Sequence, residues 1–573
     1  MVEPAEPPAV AEPATAVEPT PPAPEASPAA EAVDDGTIPI SRGGVRLIPA
    51  PLGSNLGAGI LPAGTVVITC DDRGIANKVV ERFDMFDHPT VLLRHVDGKP
   101  LDLSTIDDVI EADLSDAAVI DALIPALRQH HDALAGLIHL SPLSQFSDTD
   151  TLVDRARRDS RSLYLLARAM ESDLTEAAKN GSAVLLAATA IDGRLGYGTS
   201  ADQPIARAAH GGILGLVKCI GLEWPDVLVR AVDISPEMNT STTFDAIAAE
   251  LGQSTGPLEI GVSSAGRITW EPIAATIDPA SENKLVLEPG EVIVMTGGAR
   301  GITAEMAVGL AKKYQSQLVL LGRSQLPEQV EPAEIAAATS DVELKSALIQ
   351  LAKARGETPK PAEIGRQANR IMAAREIRQT LDRIRQAGGH ADYRSVDVSD
   401  RESFATMLHN IQAEYGQIAG VVHGAGVIED KLLRDKTPDS FDRVFNTKVH
   451  STAGLIDAIA PNQLKFLALF ASVASRFGNR GQSDYAAANE VLGKVACTLN
   501  QAWPQTRTFA VAWGPWAEIG MVADLEKHLT ARGLTLIPPP LGVQMFLDEI
   551  ASGDRGTPEV IIAGGAEQLA TPN

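Results

Sequence analysis

Short apolar runs alternate with longer segments of helical periodicity along most of the chain. From Leu61 the apolar runs are TVVITC, TVLLRHV, AGLIHL, SAVLLAAT and LVRAVDI. From Gly290 a second series follows: EVIVMTGG, QLVLLGRS, ADYRSVDV, IAGVVHGAG, KFLALFAS and RTFAVAWG. Strand-like runs that alternate with helical segments predict βαβ units and a parallel sheet. The predicted fold class is therefore α/β, with one parallel sheet for each series.

The two series also repeat each other in detail. VVITCDDRGIA (66–76) parallels VIVMTGGARGIT (292–303), and AGLIHLSP (135–142) parallels AGVVHGAG (419–426). A third pair links AVLLAATAIDGRLGYG with LALFASVASRFGNRG. Three echoes in one order favour duplication over the alternative that any two such sheets look alike. The first series lacks the loop glycines and has Ala209-His210 where the second has a tyrosine. We therefore expect two Rossmann-like, doubly wound subdomains, the N-terminal one degenerate and structural.

Composition sets the expected domain limits. Residues 1–40 are mostly Pro, Ala, Glu, Val and Thr, which predicts a disordered linker, either a tether to a larger polypeptide or a simple tail. Residues 41–284 are the expected structural subdomain, and residues 285–573 are the expected catalytic subdomain. A charged helical insertion, at about 325–389, stands where a compact Rossmann unit has a short connection.

Charge and cysteine content exclude several function classes. A net charge of −25 disfavours a nucleic-acid or anionic-membrane partner. Three scattered cysteines are too few for a disulfide framework or a zinc knuckle. We expect no membrane span, which needs an apolar run of ~20 residues, and no signal peptide is evident. These features favour a cytoplasmic protein.

A glycine-rich loop predicts a dinucleotide site. T-G-G-A-R-G-I-T at 296–303 follows an apolar strand and precedes the helical segment AEMAVGLAKKY. Glycines there allow a tight turn and bring backbone N–H groups close to a pyrophosphate at a helix N-terminus. The predicted cofactor-binding residues of this loop are Thr296, Gly297, Gly298, Arg300, Gly301 and Ile302.

Residues after the following strands extend this predicted site. The second strand ends in Arg323 and Ser324, where NAD-preferring folds usually place an acid for the ribose 2′-hydroxyl. An arginine there suits a 2′-phosphate and predicts NADPH, with a solvated strand-end arginine as the alternative. The fold places Asp397 and Val398, at the end of the third strand, near the adenine. The residues expected near the ribose and nicotinamide are Gly424, Ala425 and Gly426.

A second group of residues indicates ketone reduction. Ser472 ends a strand, Tyr485 follows at a helix start, and Asn489 lies one turn further on the same face. Lys448 lies upstream on a long helix. Hydride transfer to a ketone puts negative charge on oxygen, so the site needs a proton donor, an oxyanion partner and a group that lowers the donor's pKa. Tyr485, Ser472 and Lys448 fit these three roles in that order.

These motifs resemble the short-chain dehydrogenase/reductase family, whose usual members carry Tyr-x-x-x-Lys with the asparagine upstream. Here Tyr-Ala-Ala-Ala-Asn occupies 485–489, and the lysine lies upstream in FNTKVHSTAGL. That exchange resembles the ketoreductases of type I polyketide synthases and related polyunsaturated fatty acid synthases, as do HGAGVIEDKLL, DYAAANEVL and AWGPWAEIGM. The resemblance covers residues 40–573, and the degraded first half is similar to the structural subdomain of that family.

The resemblance implies a substrate and partners. It implies NADPH-dependent reduction of a 3-ketoacyl thioester carried by an acyl carrier protein, beside other synthase domains. Residues 428–430 (Ile-Glu-Asp) stand where one class carries Leu-Asp-Asp, and Phe477 stands where the other class has tryptophan. Both features favour a D-configured product, although Glu429 departs from the motif. Asp430 and Phe477 are the implied stereocontrol residues, and Met521 is expected along the pantetheine entrance.

Other interpretations stay open at this stage. The chain could be a free-standing reductase of a small ketone, or a catalytically silent scaffold domain of a megasynthase. His423 and His450 are interpreted as packing or hydrogen-bonding residues, and no metal is predicted. Trp513 and Trp516 are expected to form a lid. The arginine-rich insertion either docks an acidic carrier protein or packs as a solvated helical pair.

Overall fold

Both predicted series of strands lie in one long β-sheet. The computed structural model describes residues 39–53, 61–103, 109–131, 133–278, 284–297, 299–327, 331–460, 462–520 and 534–564. Residues Pro39–Asn573 make up one compact unit. The strands of the first half are β1 (Ile40–Pro49), β2 (Thr65–Thr69), β3 (Thr90–His95), β4 (Ile110–Ala112), β5 (Leu134–His139), β6 (Val184–Thr189), β7 (Leu228–Ile234), β8 (Glu259–Ser263) and β9 (Gly266–Ala274). Those of the second half are β10 (Val292–Thr296), β11 (Gln317–Gly322), β12 (His390–Ser395), β13 (Ile418–His423), β14 (Phe466–Ser472), β15 (Arg507–Trp513) and β16 (Glu559–Gly564).

Helices cover the faces of this sheet. Those of the first half are α1 (Ile75–Asp84), α2 (Ala117–His130), α3 (Leu152–Arg155), α4 (Ser162–Asn180), α5 (Gly211–Glu223) and α6 (Thr240–Leu251). Those of the second half are α7 (Gly301–Tyr314), α8 (Ala333–Ala336), α9 (Asp341–Ala354), α10 (Pro361–Gln386), α11 (Arg401–Tyr415), α12 (Pro438–Ala458), α13 (Val473–Phe477), α14 (Ser483–Ala502) and α15 (Pro539–Ser552).

The strand order confirms the α/β prediction and shows the repeat. Within the described residues the order is β12-β11-β10-β13-β14-β15-β16-β1-β9-β8-β7-β6-β5-β2-β3-β4. The first half therefore runs β4-β3-β2-β5-β6-β7-β8, and the second half runs β12-β11-β10-β13-β14-β15-β16. Each is the same doubly wound order. The central strands are buried on both faces, as all six residues of β5 and of β13 show, which explains their continuous apolar sequences.

Antiparallel strands join the two halves. β1 pairs with β16 on one side and with β9 on the other. Beside this junction α5 of the first half packs along α14 of the second. A group of buried charged residues, which we call the seam cluster, lies where the two halves meet. Its members are Lys218, Glu259, Arg476, Glu490, Lys494 and Glu559.

One stretch of the first half passes the length and composition test for a membrane span. Ile205–Glu223 is long and apolar enough to cross a membrane by length and composition. However, 78% of its most apolar window is buried inside the protein, where α5 contacts α14. The stretch is therefore a core helix of the doubled sheet.

The predicted insertion consists of α8, α9 and α10. Two of its arginines form ion pairs with other parts of the protein: Arg375 with Glu331 at 2.7 Å, and Arg383 with Glu305 of α7 at 2.6 Å. These contacts favour the packing interpretation of the arginine-rich segment over a free docking surface.

The subdomain limits and the cytoplasmic location, both expected from the sequence, stay predictions. The boundary expected at 284/285 lies between β9 and β10, and the subdomain limits stay a prediction. Cys70, Cys219 and Cys497 are buried free thiols. A cytoplasmic location stays a prediction as well.

Candidate functional site

The predicted site lies at the carboxyl ends of β10, β13 and β14, the edge where parallel α/β sheets bind ligands. Thr296 ends β10 and His423 ends β13, and Thr296 Oγ1 lies 2.7 Å from His423 Nδ1. On the other side of the ring, Ser451 Oγ of α12 lies 2.9 Å from Nε2. Burial and the charge of Lys448 lower the pKa of His423 to about 3, so the ring is neutral. His423 thus links three elements by hydrogen bonds, as the packing interpretation predicts.

The glycine-rich loop has the backbone that a dinucleotide cradle needs. Gly297 has φ +102°, and a Cβ there would come within 2.8 Å of the Gly424 backbone. Gly301 has φ +53° and begins α7. Thr296 also binds the opposite loop, because its carbonyl accepts from Gly424 N at 3.1 Å and its hydroxyl accepts from Ala425 N at 3.2 Å. Glycine at position 297 therefore allows this loop to lie directly against the loop of Gly424.

The remaining predicted cofactor residues surround this loop. Ile302 lies below Gly520, where a Cβ would come within 3.2 Å of its Cδ1. Arg323 is exposed after β11, and the carbonyl of Ser324 accepts from Tyr393 at 2.6 Å. Asp397 is exposed, and its carboxylate accepts from Ser399. Val398 is buried. Gly298 lies outside the described residues.

Ser472, Tyr485 and Asn489 come together beside the loop. Ser472 ends β14 and caps α13 by accepting from Ala474 N at 3.2 Å. Tyr485 is half-buried in the first turn of α14, and Asn489 Nδ2 donates to the Tyr485 carbonyl at 2.7 Å. Burial raises the pKa of Tyr485 to about 12, while contacts of the phenol with Asn489 and Ser472 act in the opposite direction. The phenol therefore keeps its proton at neutral pH.

Lys448 is buried on α12 behind the cofactor loop. Its Nζ donates to the Phe470 carbonyl at 2.7 Å, two residues before Ser472. A Cβ at Gly426 would lie 3.0 Å from Lys448 Cε, so a larger residue there would press on the lysine side chain. Burial lowers the pKa of Lys448 to about 7. The lysine is not among the groups that shift the pKa of Tyr485, and its direct contact is with the strand that carries Ser472.

The expected stereocontrol residues lie on either side of α14. Asp430 Oδ2 accepts from Gln482 Nε2 at 3.0 Å, just before the turn that carries Tyr485. The ring of Phe477 lies 5.8 Å from that of Trp270 in the first half, at the junction of the two halves. Met521 lies outside the described residues.

A buried ion pair beside the site was not predicted. Lys436 Nζ donates to Asp484 Oδ2 at 2.6 Å and to the Glu429 carbonyl at 2.7 Å. Asp484 Oδ1 in turn accepts from Tyr485 N at 2.8 Å. Tyr164 of the first half donates to the Lys436 carbonyl at 2.7 Å. The segment around Glu429 is thereby joined to the start of α14. The only sequence signal was the position of Asp484 directly before the tyrosine.

The expected tryptophan lid is wrong. Trp513 is 5% exposed and Trp516 is 2% exposed, and their rings pack edge to face at 5.1 Å. Phe470 packs on Trp513 from the strand beside it. A Cβ at Gly542 of α15 would collide with the Trp516 ring. Both tryptophans are core residues, because α15 covers the loop that carries them.

The first half fills its corresponding edge with side chains. Trp224 and Trp503 cap the equivalent helices α5 and α14, and Tyr485 lies 18 residues before Trp503. The same count from Trp224 gives Ala206, which corrects the expectation that Ala209-His210 replaces the tyrosine. His210 then corresponds to Asn489, and it is buried 3.0 Å from Asp159.

No metal centre was predicted, and that expectation stays a prediction. Within the described ranges, His95, Asp97 and Asp113 have ligand atoms within 4.8 Å of one another. Arg157 forms ion pairs with both carboxylates, at 3.4 Å and 2.6 Å. This arginine already balances the acidic groups, and the cluster lies in the first half, at the ends of β3 and β4.

Comparisons with known proteins agree with this geometry. The KR domain family matches residues 291–518. A polyunsaturated fatty acid synthase polypeptide of Thraustochytrium sp. is 34% identical over 388 residues, which are 65% of this chain and 14% of that protein. The polyketide synthase PksN of Bacillus subtilis is 30% identical over 222 residues, which are 36% of this chain and 4% of that protein. The chain thus spans a small part of these relatives.

A solved structure extends the comparison to the first half. The crystal structure of an N-terminal ketoreductase from the macrolactin assembly line superposes with a TM-score of 0.67 at 18% identity, covering 92% of this chain and 93% of that chain. The doubled sheet thus has the same fold as that ketoreductase structure. Residues 291–518 are thus similar to the KR domain family, and the polyketide and polyunsaturated fatty acid synthases named above are relatives of part of the chain.

Proposed function

We propose that this chain reduces the 3-keto group of an acyl thioester, held on an acyl carrier protein, to a 3-hydroxyacyl thioester with NADPH. The observation that carries this proposal is the convergence of Ser472, Tyr485 and Asn489 beside the glycine-rich loop at one edge of the sheet. The first half has the same strand order without these side chains. The chemistry is therefore assigned to the second half.

The cofactor fits the loop geometry described above. The N–H groups at the start of α7, beside the tight turn at Gly297, would hold the pyrophosphate. Exposed Arg323 and Arg300 are the cations that would bind the 2′-phosphate and give a preference for NADPH. When bound, NADPH supplies the hydride that the ketone carbon receives.

The side chains at the edge perform the proton chemistry. The Ser472 hydroxyl donates a hydrogen bond to the substrate carbonyl oxygen and stabilises the negative charge that develops there. Tyr485 then transfers its phenolic proton to that oxygen, which completes the hydroxyl group. Because the pKa of Tyr485 is raised to about 12, the residue is fully protonated before reaction. Asn489 holds the first turn of α14 through the Tyr485 carbonyl.

We propose that Lys448, which is buried behind the cofactor loop, also contributes to this reaction. Since its pKa is lowered to about 7, its Nζ can hold or release a proton under ordinary assay conditions. Its bond to the Phe470 carbonyl fixes the end of β14 and thus the position of Ser472. We assign Lys448 to proton supply and to positioning.

The relatives support a carrier-bound substrate and other synthase domains as partners, because both are named as synthases or parts of synthases. The acidic net charge of −25 disfavours a nucleic-acid partner. Asp430 and Phe477 support a D-configured product by their resemblance to the first class of these ketoreductases. We place the reaction in the cytoplasm.

The test compares the parent chain with Tyr485→Phe. NADPH oxidation is followed by absorbance, with a 3-ketoacyl N-acetylcysteamine thioester and with the same acyl group on a carrier protein. We expect Tyr485→Phe to lower kcat by about 10²–10⁴-fold, because the proton donor is lost. Tyr415→Phe, which removes a hydroxyl at the end of α11, is the matched control and should leave kcat unchanged. NADPH binding without oxidation of either substrate form by the parent chain would instead indicate a silent scaffold.

A further inference from the structure

The insertion helix α10 reaches the predicted cofactor loop. Glu376 Oε2 accepts from Arg300 Nε at 2.5 Å, and Oε1 accepts from Gly301 N at 3.2 Å. Thr380 donates to the Ala299 carbonyl at 2.9 Å, and Arg383 pairs with Glu305 of α7. Positions 376, 380 and 383 share one face of the helix. One face of α10 therefore lies along the whole loop from Ala299 to Glu305.

The carboxylate of Glu376 takes the donors that a phosphate group would take. A guanidinium and a backbone N–H at a helix N-terminus are the groups that proteins use for phosphate recognition. Gly301 is the first residue of α7, and Arg300 is the residue before it. The Glu376 carboxylate is thus an anion that lies where the glycine-rich loop would contact a phosphate.

The first half shows the same arrangement in a permanent form. Asp71, which aligns with a loop glycine of the second half, accepts from three backbone N–H groups of its own loop and of α1. These are Arg73 N at 2.6 Å, Ile75 N at 3.1 Å and Ala76 N at 2.7 Å. Because Asp71 belongs to that loop, its carboxylate cannot leave without opening the turn. In the second half the carboxylate comes from another helix.

Glu376 can leave its position without movement of α10. The Thr380 and Arg383 contacts hold the helix independently, and the Glu376 side chain is 40% exposed. A change of rotamer would turn the carboxylate into solvent. Arg300, which is 50% exposed, and the Gly301 N–H would then be available to a ligand.

We propose that Glu376 competes with the phosphate groups of the cofactor for Arg300 and Gly301 N, and so sets the affinity and selectivity of the dinucleotide site. This inference rests on the proposed function, since it needs a dinucleotide at this loop. It makes the insertion a determinant of cofactor binding, with a carboxylate that the bound nucleotide displaces.

The test measures dissociation constants of the full chain for NADPH and NADH by titration calorimetry, with no substrate present. Glu376→Gln keeps the shape and removes the charge, and we expect it to tighten NADPH binding about two- to fivefold, the range for release of an exposed ion pair. The matched control is Glu363→Gln on the same helix, whose carboxylate bonds to Lys360, and it should leave both constants unchanged.

The two nucleotides identify which phosphate competes. A gain for NADPH alone supports competition with the 2′-phosphate at Arg300, and an equal gain for NADH supports competition with the pyrophosphate at Gly301 N. Unchanged or weaker NADPH binding by Glu376→Gln overturns the inference, because it would make Glu376 neutral or helpful to binding. If the parent chain and both variants bind neither nucleotide, the proposed function itself fails, and the inference fails with it.

Discussion

The two halves of the sheet have the same strand order, but the side chains at their carboxyl edges differ. Thr69 Oγ1 lies 3.2 Å from His139 Nδ1 in the first half, as Thr296 does from His423 in the second. Beyond this shared pair the edges differ, because the first half buries Arg155, Asp159 and His210 together where the second half gathers its polar catalytic candidates. The strand order is maintained by apolar packing, and a few side chains at the edge decide whether a site is open.

The sharpest test of this difference changes one polar group in each half. Asp159→Asn removes the nearer carboxylate of the fully buried Arg155, at 2.8 Å, and leaves it Asp150 at 3.7 Å, so we expect the free energy of unfolding to fall by about 3–5 kcal/mol. Asn489→Ala removes one hydrogen bond to the Tyr485 carbonyl and should cost only about 1–2 kcal/mol. Denaturant unfolding of each variant and of the parent chain measures these two losses of unfolding free energy.

Activity completes that comparison. Once Asp159→Asn is assayed below its unfolding range, its kcat should stay close to that of the parent chain, whereas Asn489→Ala should lose most of its turnover. Equal stability losses, or equal losses of turnover, would contradict the division of roles between the halves.

A second prediction uses the way each half buries positive charge. Arg155 is buried with a carboxylate, whereas among the described residues Lys448 has a carbonyl partner and no carboxylate in ion-pair range. The folded-state pKa of Lys448 is lowered to about 7 from 10.5, so the folded chain releases this proton first as pH rises. The free energy of unfolding therefore rises with pH between these two pKa values. Below the lower pKa, Lys448 is charged in the folded chain, and the full cost of burying that charge is present.

The measurement is the difference in unfolding free energy between Lys448→Met and the parent chain. We expect the advantage of Lys448→Met to be largest at about pH 7 and to shrink by about 1–3 kcal/mol as pH rises to about 10. Lys465→Met, at a lysine before β14 whose side chain is 38% exposed, serves as the control and should show no such trend. A difference that is independent of pH would mean that Lys448 is not desolvated.

The smallest expected effect concerns the loop of the first half. Asp71→Asn weakens the three bonds that cap α1, and we expect a loss of about 1 kcal/mol in unfolding free energy. Because the first half lacks the loop glycines of the second half, it should still bind no cofactor. Calorimetry should give one NADPH per chain for both proteins, and two per chain for Asp71→Asn would show that the aspartate alone closes the site.

Local sequence was sufficient for most of the parallel part of the sheet, but the parallel strands β4, β8 and β16 were not among the predicted runs. All eleven predicted apolar runs are strands, since buried parallel strands have continuous apolar sequences. The junction was not predicted, because β1 and β16 pair across nearly the whole chain and β9 has a mixed burial pattern. Long-range antiparallel pairing leaves no periodic signal that distinguishes it from any exposed strand.

The candidate site was likewise predicted only in part. Ser472, Tyr485 and Asn489 were predicted from chemistry and spacing, and the fold brings them together at one edge. Glu376 and the ion pair of Lys436 with Asp484 were not predicted, because each depends on how distant segments pack. The tryptophan lid failed for a related reason, since only the position of α15 shows that Trp516 is enclosed.

The pairing of β1 with β16 has a consequence for how the chain is made. Ile40 pairs with Gly564, so one edge of β1 stays unpaired until β16 has been translated. At ribosomal rates of about 5–20 residues per second, β16 emerges roughly 15–60 s after β9. During that interval the first half presents an unpaired strand edge, which neighbouring nascent chains could occupy. The order of synthesis therefore makes the last strand of the catalytic half the one that protects the structural half from misassembly.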